Sequence, residues 1–205
     1  ESMSYPRAFA DATILPTGDV FVNGGTAVYQ SADDDTYFSN FTPEIYQSND
    51  DIWKKMSKSN FRRNYHSTSL LLPDGRIFVA GGDVWNAQLF YPPYLFSKDS
   101  EGKTILAKRP KIEKLEKVIA NRKKQIMKVD DSSEIEKISL ITTGSTTHAQ
   151  ASELRYLSLN FTKINKTQIE FNIPEDKNTL TDGTYLIFTI SNSGIPSEGK
   201  ITYIK

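Results

Sequence analysis

The segment Leu15-Pro16-Thr17-Gly18-Asp19-Val20-Phe21-Val22-Asn23-Gly24-Gly25 recurs 57 residues later as Leu72-Pro73-Asp74-Gly75-Arg76-Ile77-Phe78-Val79-Ala80-Gly81-Gly82. A repeat at this spacing constrains the fold more than any single motif, because each copy is a supersecondary unit that buries its apolar face against its neighbour. Each copy reads as strand, turn, strand. A Pro-x-Gly turn joins two short β-rich runs, and the paired glycines after the second run permit positive φ or close backbone approach.

Candidate outer strands follow both copies: Pro43 to Tyr46 with Trp53 after the first, Ala87 to Phe90 after the second. Two strands, a Gly-Gly, an aromatic strand and a tryptophan, repeating at roughly 50 residues, describe a kelch-type β-propeller blade. Two blades do not close a ring, for which ~4–8 are typical. Trp85, in the short connection Asp83-Val84-Trp85-Asn86, either packs the propeller rim or lines the mouth of a site, and packing is the expectation.

From Tyr91 onward the composition shifts, and Ser97 to Arg109 is polar and lysine-rich. This divides the chain into blades over 1–96, a linker over 97–109 and a second domain over 110–205. The second domain opens ambiguously, because Ile112, Leu115, Val118, Ile119, Ile126 and Val129 fall near helical spacing. The remainder reads as short strands at Ile138 to Thr142, Leu154 to Phe161, Gln168 to Ile173 and Thr184 to Ile190, broken by turn residues, which suggests an immunoglobulin-like β-sandwich. The expected fold class is therefore all-β, a partial propeller followed by a sandwich.

Twenty-five basic residues balance 25 acidic ones, which removes the electrostatic case for a nucleic-acid partner or an anionic membrane surface. Cysteine is absent, so this chain builds no disulfide, zinc knuckle or thiol nucleophile. No run approaches the roughly 20 apolar residues of a membrane span, and Glu1-Ser2-Met3-Ser4 has no signal-peptide character. The sequons Asn160-Phe161-Thr162 and Asn165-Lys166-Thr167 accept glycans only along a eukaryotic secretory route, and such triplets also arise by chance.

The run Arg63-Asn64-Tyr65-His66-Ser67-Thr68-Ser69-Leu70-Leu71-Leu72-Pro73-Asp74-Gly75-Arg76-Ile77-Phe78 resembles the signature segment of the galactose oxidase and glyoxal oxidase family of copper-radical enzymes. Phe41 to Tyr46, Ala87-Gln88 with Pro93-Tyr94-Leu95, Arg109 to Ile112 and Ser145-Thr146-Thr147-His148 follow in the family's order, so the resemblance covers nearly the whole chain. It implies a propeller carrying a copper ion, and a C-terminal domain that sends one loop into the propeller with a histidine ligand. Tyr65 matches the axial tyrosine, His66 the first histidine and His148 the histidine of that loop. The resemblance also implies that 111–129 is strands and connections despite its helical period.

Imidazole nitrogens with a phenolate suit Cu(II), and the chain's two histidines both fall on these positions. Adjacent residues of a strand point to opposite faces, so joint ligation by Tyr65 and His66 requires a bend or a strand end. By resemblance, a primary alcohol or aldehyde is oxidised with O2 to give H2O2, Tyr65 acts as general base, and the protein is secreted or cell-surface. The substrate class extends to carbohydrates. The family's radical tyrosine and its crosslinked cysteine match nothing in these 205 residues. The chain is therefore expected to be an inactive portion of a longer oxidase, partnered by N-terminal blades of the same protein. The family's aromatic platform would fall at Asp33-Asp34-Asp35, where sugar stacking is lost. The alternative is a non-catalytic module that binds carbohydrate or protein, since fold does not dictate function.

Overall fold

The computed structural model describes residues 1–27, 38–120, 122–148 and 150–205; the acidic run at 33–35 lies outside them. The described backbone is all-β, with two single-turn 3-10 segments and no α-helix.

The first repeat copy forms β1 (Ala8–Ile14) and β2 (Val20–Thr26), followed by β3 (Glu44–Gln47) and β4 (Ile52–Lys55) in one antiparallel four-stranded meander. The second copy forms β5 (Ser67–Leu71) and β6 (Ile77–Gly81), with β7 (Ala87–Phe90) completing a three-stranded sheet. Each Pro-x-Gly hairpin closes with a glycine at positive φ, Gly18 at 93° and Gly75 at 82°, a conformation that costs glycine nothing. These blade-like sheets pack side by side. Phe21 of β2 lies against Phe90 of β7 with ring centroids 4.6 Å apart, and Thr13 Oγ1 of β1 lies 2.8 Å from Ser69 Oγ of β5.

The polar stretch that follows carries a hairpin, β8 (Phe96–Lys98) with β9 (Thr104–Leu106). Strands β10 (Ile112–Lys114), β11 (Val118–Ile119), β12 (Lys124–Val129) and β13 (Ile135–Thr142) come next. Then follow β14 (Ser145–Thr147), β15 (Gln150–Ser152), β16 (Tyr156–Leu159), β17 (Phe161–Asn165), β18 (Gln168–Asn172), β19 (Gly183–Ser191) and β20 (Lys200–Ile204).

The sheet β10-β12-β18-β17 and the sheet β11-β20-β19-β13-β16 enclose one apolar core. Met127, Ile169 and Phe171 of the first sheet and Ile138, Leu140, Ile187 and Ile204 of the second are fully buried in it. Tyr185 donates its hydroxyl hydrogen to the Thr181 carbonyl 2.7 Å away, the arrangement of a tyrosine corner in immunoglobulin-like sandwiches.

The helical period of 111–129 is a coincidence of spacing. Met127 and Val129 are buried while Ile126 is exposed and Lys128 points outward, so burial alternates with the period of a strand. Val118, which a helix would need on the same face, is also exposed.

The chain divides into two compact units that do not follow sequence order. The first holds β1–β7 together with the hairpin β14–β15, residues Gly144–Leu154; the second holds the sandwich, the β8–β9 hairpin and the turn Pro73–Gly75.

Candidate metal centre

The candidate site begins with the backbone before β5. Ser67 N–H donates to the Asn64 carbonyl at 2.9 Å, closing a four-residue turn with Tyr65 and His66 at its centre. His66 has φ 64°; the third position of such a turn ordinarily goes to glycine or asparagine. This is the bend that joint ligation requires, and it places the Tyr65 and His66 rings 4.0 Å apart, centroid to centroid.

The paired glycines of both repeat copies close on this same segment. Gly25 N–H donates to the Arg63 carbonyl at 2.6 Å. A Cβ on Gly24 would stand 1.9 Å from that carbonyl oxygen, one on Gly81 2.4 Å from the His66 carbonyl oxygen, and one on Gly82 2.9 Å from Asn64 N. All four glycines have positive φ. The repeat thus builds two glycine cradles that hold residues 63–66 from either side.

Two buried arginines brace the cradles. Arg7 is ion-paired with Glu44 at 2.8 Å, both side chains fully buried, and donates to the Gly24 carbonyl at 2.6 Å. Arg63 donates to the Gly81 carbonyl at 2.7 Å and to Asn86 and Gln88; burial lowers its guanidinium below the ordinary value.

His148 arrives on the β14–β15 hairpin. Thr147 pairs with Gln150, so His148 opens a two-residue loop, and it has φ 54° as primed hairpin turns demand. Its ring centroid is 4.9 Å from that of His66 and 5.5 Å from that of Tyr65. Thr147 Oγ1 lies 2.7 Å from His148 Nδ1. This contact occupies Nδ1 and leaves Nε2 as the ring nitrogen that could meet a metal.

The structure therefore brings together all three residues singled out from sequence. Metal–nitrogen bonds of about 2 Å allow two ligand imidazole centroids to stand up to roughly 6 Å apart, and the observed separation lies within that reach. Among the described residues no group of three or more His, Cys, Asp or Glu side chains could hold a metal. The Tyr65 phenol is what raises this donor set to three.

Sequence reasoning missed two neighbours. Phe9, at φ 59° in β1, sets its ring edge-on to Tyr65 at 5.2 Å. Three of the six non-glycine residues at positive φ among the described residues thus meet around one phenol, and strain of this kind, about 1–3 kcal/mol per residue, gathers at functional sites. No sequence pattern marks φ at a phenylalanine. Asp11 did carry a signal, as a carboxylate in the strand Ala8–Ile14 between Ala10 and Ala12. It is 1% exposed, accepts from the Ser67 hydroxyl behind the His66 turn, and leaves Oδ1 without a partner. The indole of Trp85 is exposed at 103%, so it packs against none of the described residues.

Residues 1–96 match the family described as glyoxal oxidase N-terminus, and residues 109–204 match the galactose oxidase-like early set domain. The chain belongs to the galactose oxidase and glyoxal oxidase family. Within it, the chain is 34% identical to a galactose oxidase of Gibberella zeae over 94% of its own length and 28% of that protein's. It is 25% identical to an aldehyde oxidase of Arabidopsis thaliana over 98% and 36%. A fungal alcohol oxidase solved in complex with copper superposes with TM-score 0.88 at 24% identity, covering 100% of this chain and 44% of that one. The chain thus spans less than half the length of these family members.

Burial raises the Asp11 carboxyl from its ordinary 3.8 to about 6, against the Ser67 hydrogen bond, which lowers it. A raised acid pKa means that the native state binds the proton more tightly than the unfolded chain. Stability from this group is therefore greatest at low pH and falls as pH rises from about 4 to 6. Relieving the buried charge is worth about 3 kcal/mol at pH 7, offset in part because an amide NH2 would be left as unpartnered as Oδ1. Asp11→Asn is expected to stabilise the chain by about 2 kcal/mol at pH 7 and to flatten this pH dependence. Urea unfolding at pH 4.5 and pH 7 measures it, and a variant destabilised at pH 7 would contradict the reading.

Proposed function

We propose that this chain supplies half of the copper centre of an oxidase that converts a primary alcohol or aldehyde, with O2, into its oxidised product and H2O2. His66 and His148 would hold the copper through nitrogen, and Tyr65 would hold it through its phenol oxygen and accept the substrate's hydroxyl proton. The observation that carries this reading is the convergence of both histidines of the chain and one tyrosine on two strained turns within one compact unit.

Copper, when bound, supplies the one-electron redox chemistry and favours ionisation of a phenol beside it. The residues of the chain do the rest. The glycine cradles hold the His66 turn, Thr147 hydrogen-bonds His148 Nδ1, and Phe9 packs edge-on against the Tyr65 ring. The Tyr65 phenol oxygen would take the substrate's hydroxyl proton, which makes the alcohol easier to oxidise. On this reading the redox-active tyrosine and its crosslinked cysteine would come from blades outside these 205 residues, which hold no cysteine. Family resemblance supports release outside the cell or display at its surface.

The test uses the full-length protein loaded with copper, assayed for peroxide on primary alcohols and aldehydes. Tyr65→Phe is expected to lower turnover by about 100-fold or more, as loss of a positioned base does, while copper stays bound by the imidazoles. Copper binding without peroxide from any such substrate would overturn the oxidase reading and favour a binding module.

A further inference from the structure

We propose that Asn165 is an N-glycosylation site whose glycan shields the open edge of the sandwich at β17. This rests on the reading above that the protein leaves the cell, and adds to it a modification that the oxidase chemistry does not use.

Strand β17 is the last in the order β10-β12-β18-β17, so one of its edges has no strand partner among the described residues. Such an edge is a template for pairing with a second chain unless charge, twist or cover blocks it. Its sequence, Phe161-Thr162-Lys163-Ile164-Asn165, carries a single charge and leaves Ile164 48% exposed. That charge, on Lys163, is drawn to the Ser133 carbonyl at 3.3 Å. The 3-10 turn Ser132–Glu134 meets the strand at its C-terminal end, where Ser132 Oγ donates to the Asn165 carbonyl and Ser132 N–H to the Lys166 carbonyl, both at 2.7 Å.

The same end presents a sequon. Asn165 pairs with Gln168 across a two-residue hairpin loop, so Asn165-Lys166-Thr167 forms an exposed tip, the surface setting that a glycan acceptor needs. Asn165 Oδ1 accepts from Thr167 N–H at 2.9 Å and from the Thr167 hydroxyl at 3.3 Å, and Nδ2 donates to Gln168 Oε1 at 2.7 Å. The amide and the hydroxyl that define the triplet are thus already in contact, through an Asx turn that forms locally. Asn160-Phe161-Thr162 is placed differently: Phe161 begins β17 and packs against the sandwich core. The donor is an oligosaccharide on a lipid diphosphate. Asn165 Nδ2 bonds to the anomeric carbon, the anomeric C–O bond breaks, its electron pair leaves with the lipid diphosphate, and one Nδ2 proton passes to a base of the transferase. The bulky, hydrated product at the end of β17 keeps a second copy from its edge.

The experiment expresses the full-length protein in yeast with its own N-terminus and maps the secreted product by peptide mass spectrometry before and after peptide N-glycosidase, which leaves aspartate wherever a glycan was removed. Asn165 is expected to carry one glycan, lost in Asn165→Gln and Thr167→Ala and kept in Thr167→Ser and Asn160→Gln. On warming, Thr167→Ala is expected to scatter light sooner than wild type and Thr167→Ser to match it. Adding Ile164→Lys to Thr167→Ala should cancel the difference by charging the bare edge. Unmodified Asn165 in the secreted product would overturn the site, and equal scattering with and without this glycan would overturn the shielding. If the protein stays inside the cell, the secretion reading fails, and the same chain behind a yeast secretion leader still decides whether Asn165 accepts a glycan.

Discussion

Replacing His148 with alanine is expected to weaken Cu(II) binding by the full-length protein by at least about 100-fold, since loss of a residue that merely orients a ligand already costs 10–100-fold. The fold should not notice. His148 is exposed at a hairpin tip, outside the apolar core of the sandwich, with its backbone at φ 54°. Isothermal titration with Cu(II) beside thermal unfolding of the metal-free protein separates the two effects. His148→Gly sharpens the comparison, because glycine relieves the positive φ and should hold or raise stability while losing the same copper affinity. Copper affinity unchanged in both variants would remove His148 from the site.

The second large effect is expected at Gly24. Alanine there meets two obstacles: φ of 68°, and a Cβ placed 1.9 Å from the Arg63 carbonyl oxygen. That carbonyl is backbone, already accepts from Gly25 N–H, and lies two residues from Tyr65, so it cannot yield without moving the ligand turn. A loss of about 4 kcal/mol is expected, at the upper end for single substitutions. Gly102→Ala is the control, since Gly102 has φ 79° and nothing within 4 Å of an added Cβ; it should cost only about 1 kcal/mol. Denaturant unfolding of both variants measures the difference, and equal losses would show that φ alone sets the requirement and that the cradle does not.

These expectations draw unequally on sequence and structure. The Gly-Gly pairs were visible as a repeat, and their meaning as conformational punctuation was legible. Their target was not, because residues 24 and 63 meet only when two sheets pack side by side, and residues 81 and 66 only when β5 pairs with β6. Strands 138–142, 168–173 and 184–190 were legible from alternation and turn residues. The stretch 111–129 was misleading locally, because its apolar residues suited a helix, and burial alternating along β12 resolved it. Trp85 shows the reverse failure. An aromatic residue near a glycine pair suggested packing, and none of the described residues covers it.

The amino-acid sequence by itself determined the β-rich repeat, the donor chemistry and the scarcity of candidates, since a chain with two histidines and no cysteine offers few ways to hold a metal. Tertiary structure decided that Tyr65 and His66 share one site despite being neighbours in sequence, and that a hairpin from within the second half of the chain belongs to the first compact unit. The physical reason is that ligation depends on backbone conformations at single residues and on packing between distant strands. A positive φ at a histidine, unlike a hydrophobic period, leaves no trace in composition or spacing, and it exists only because the surrounding fold sustains its cost.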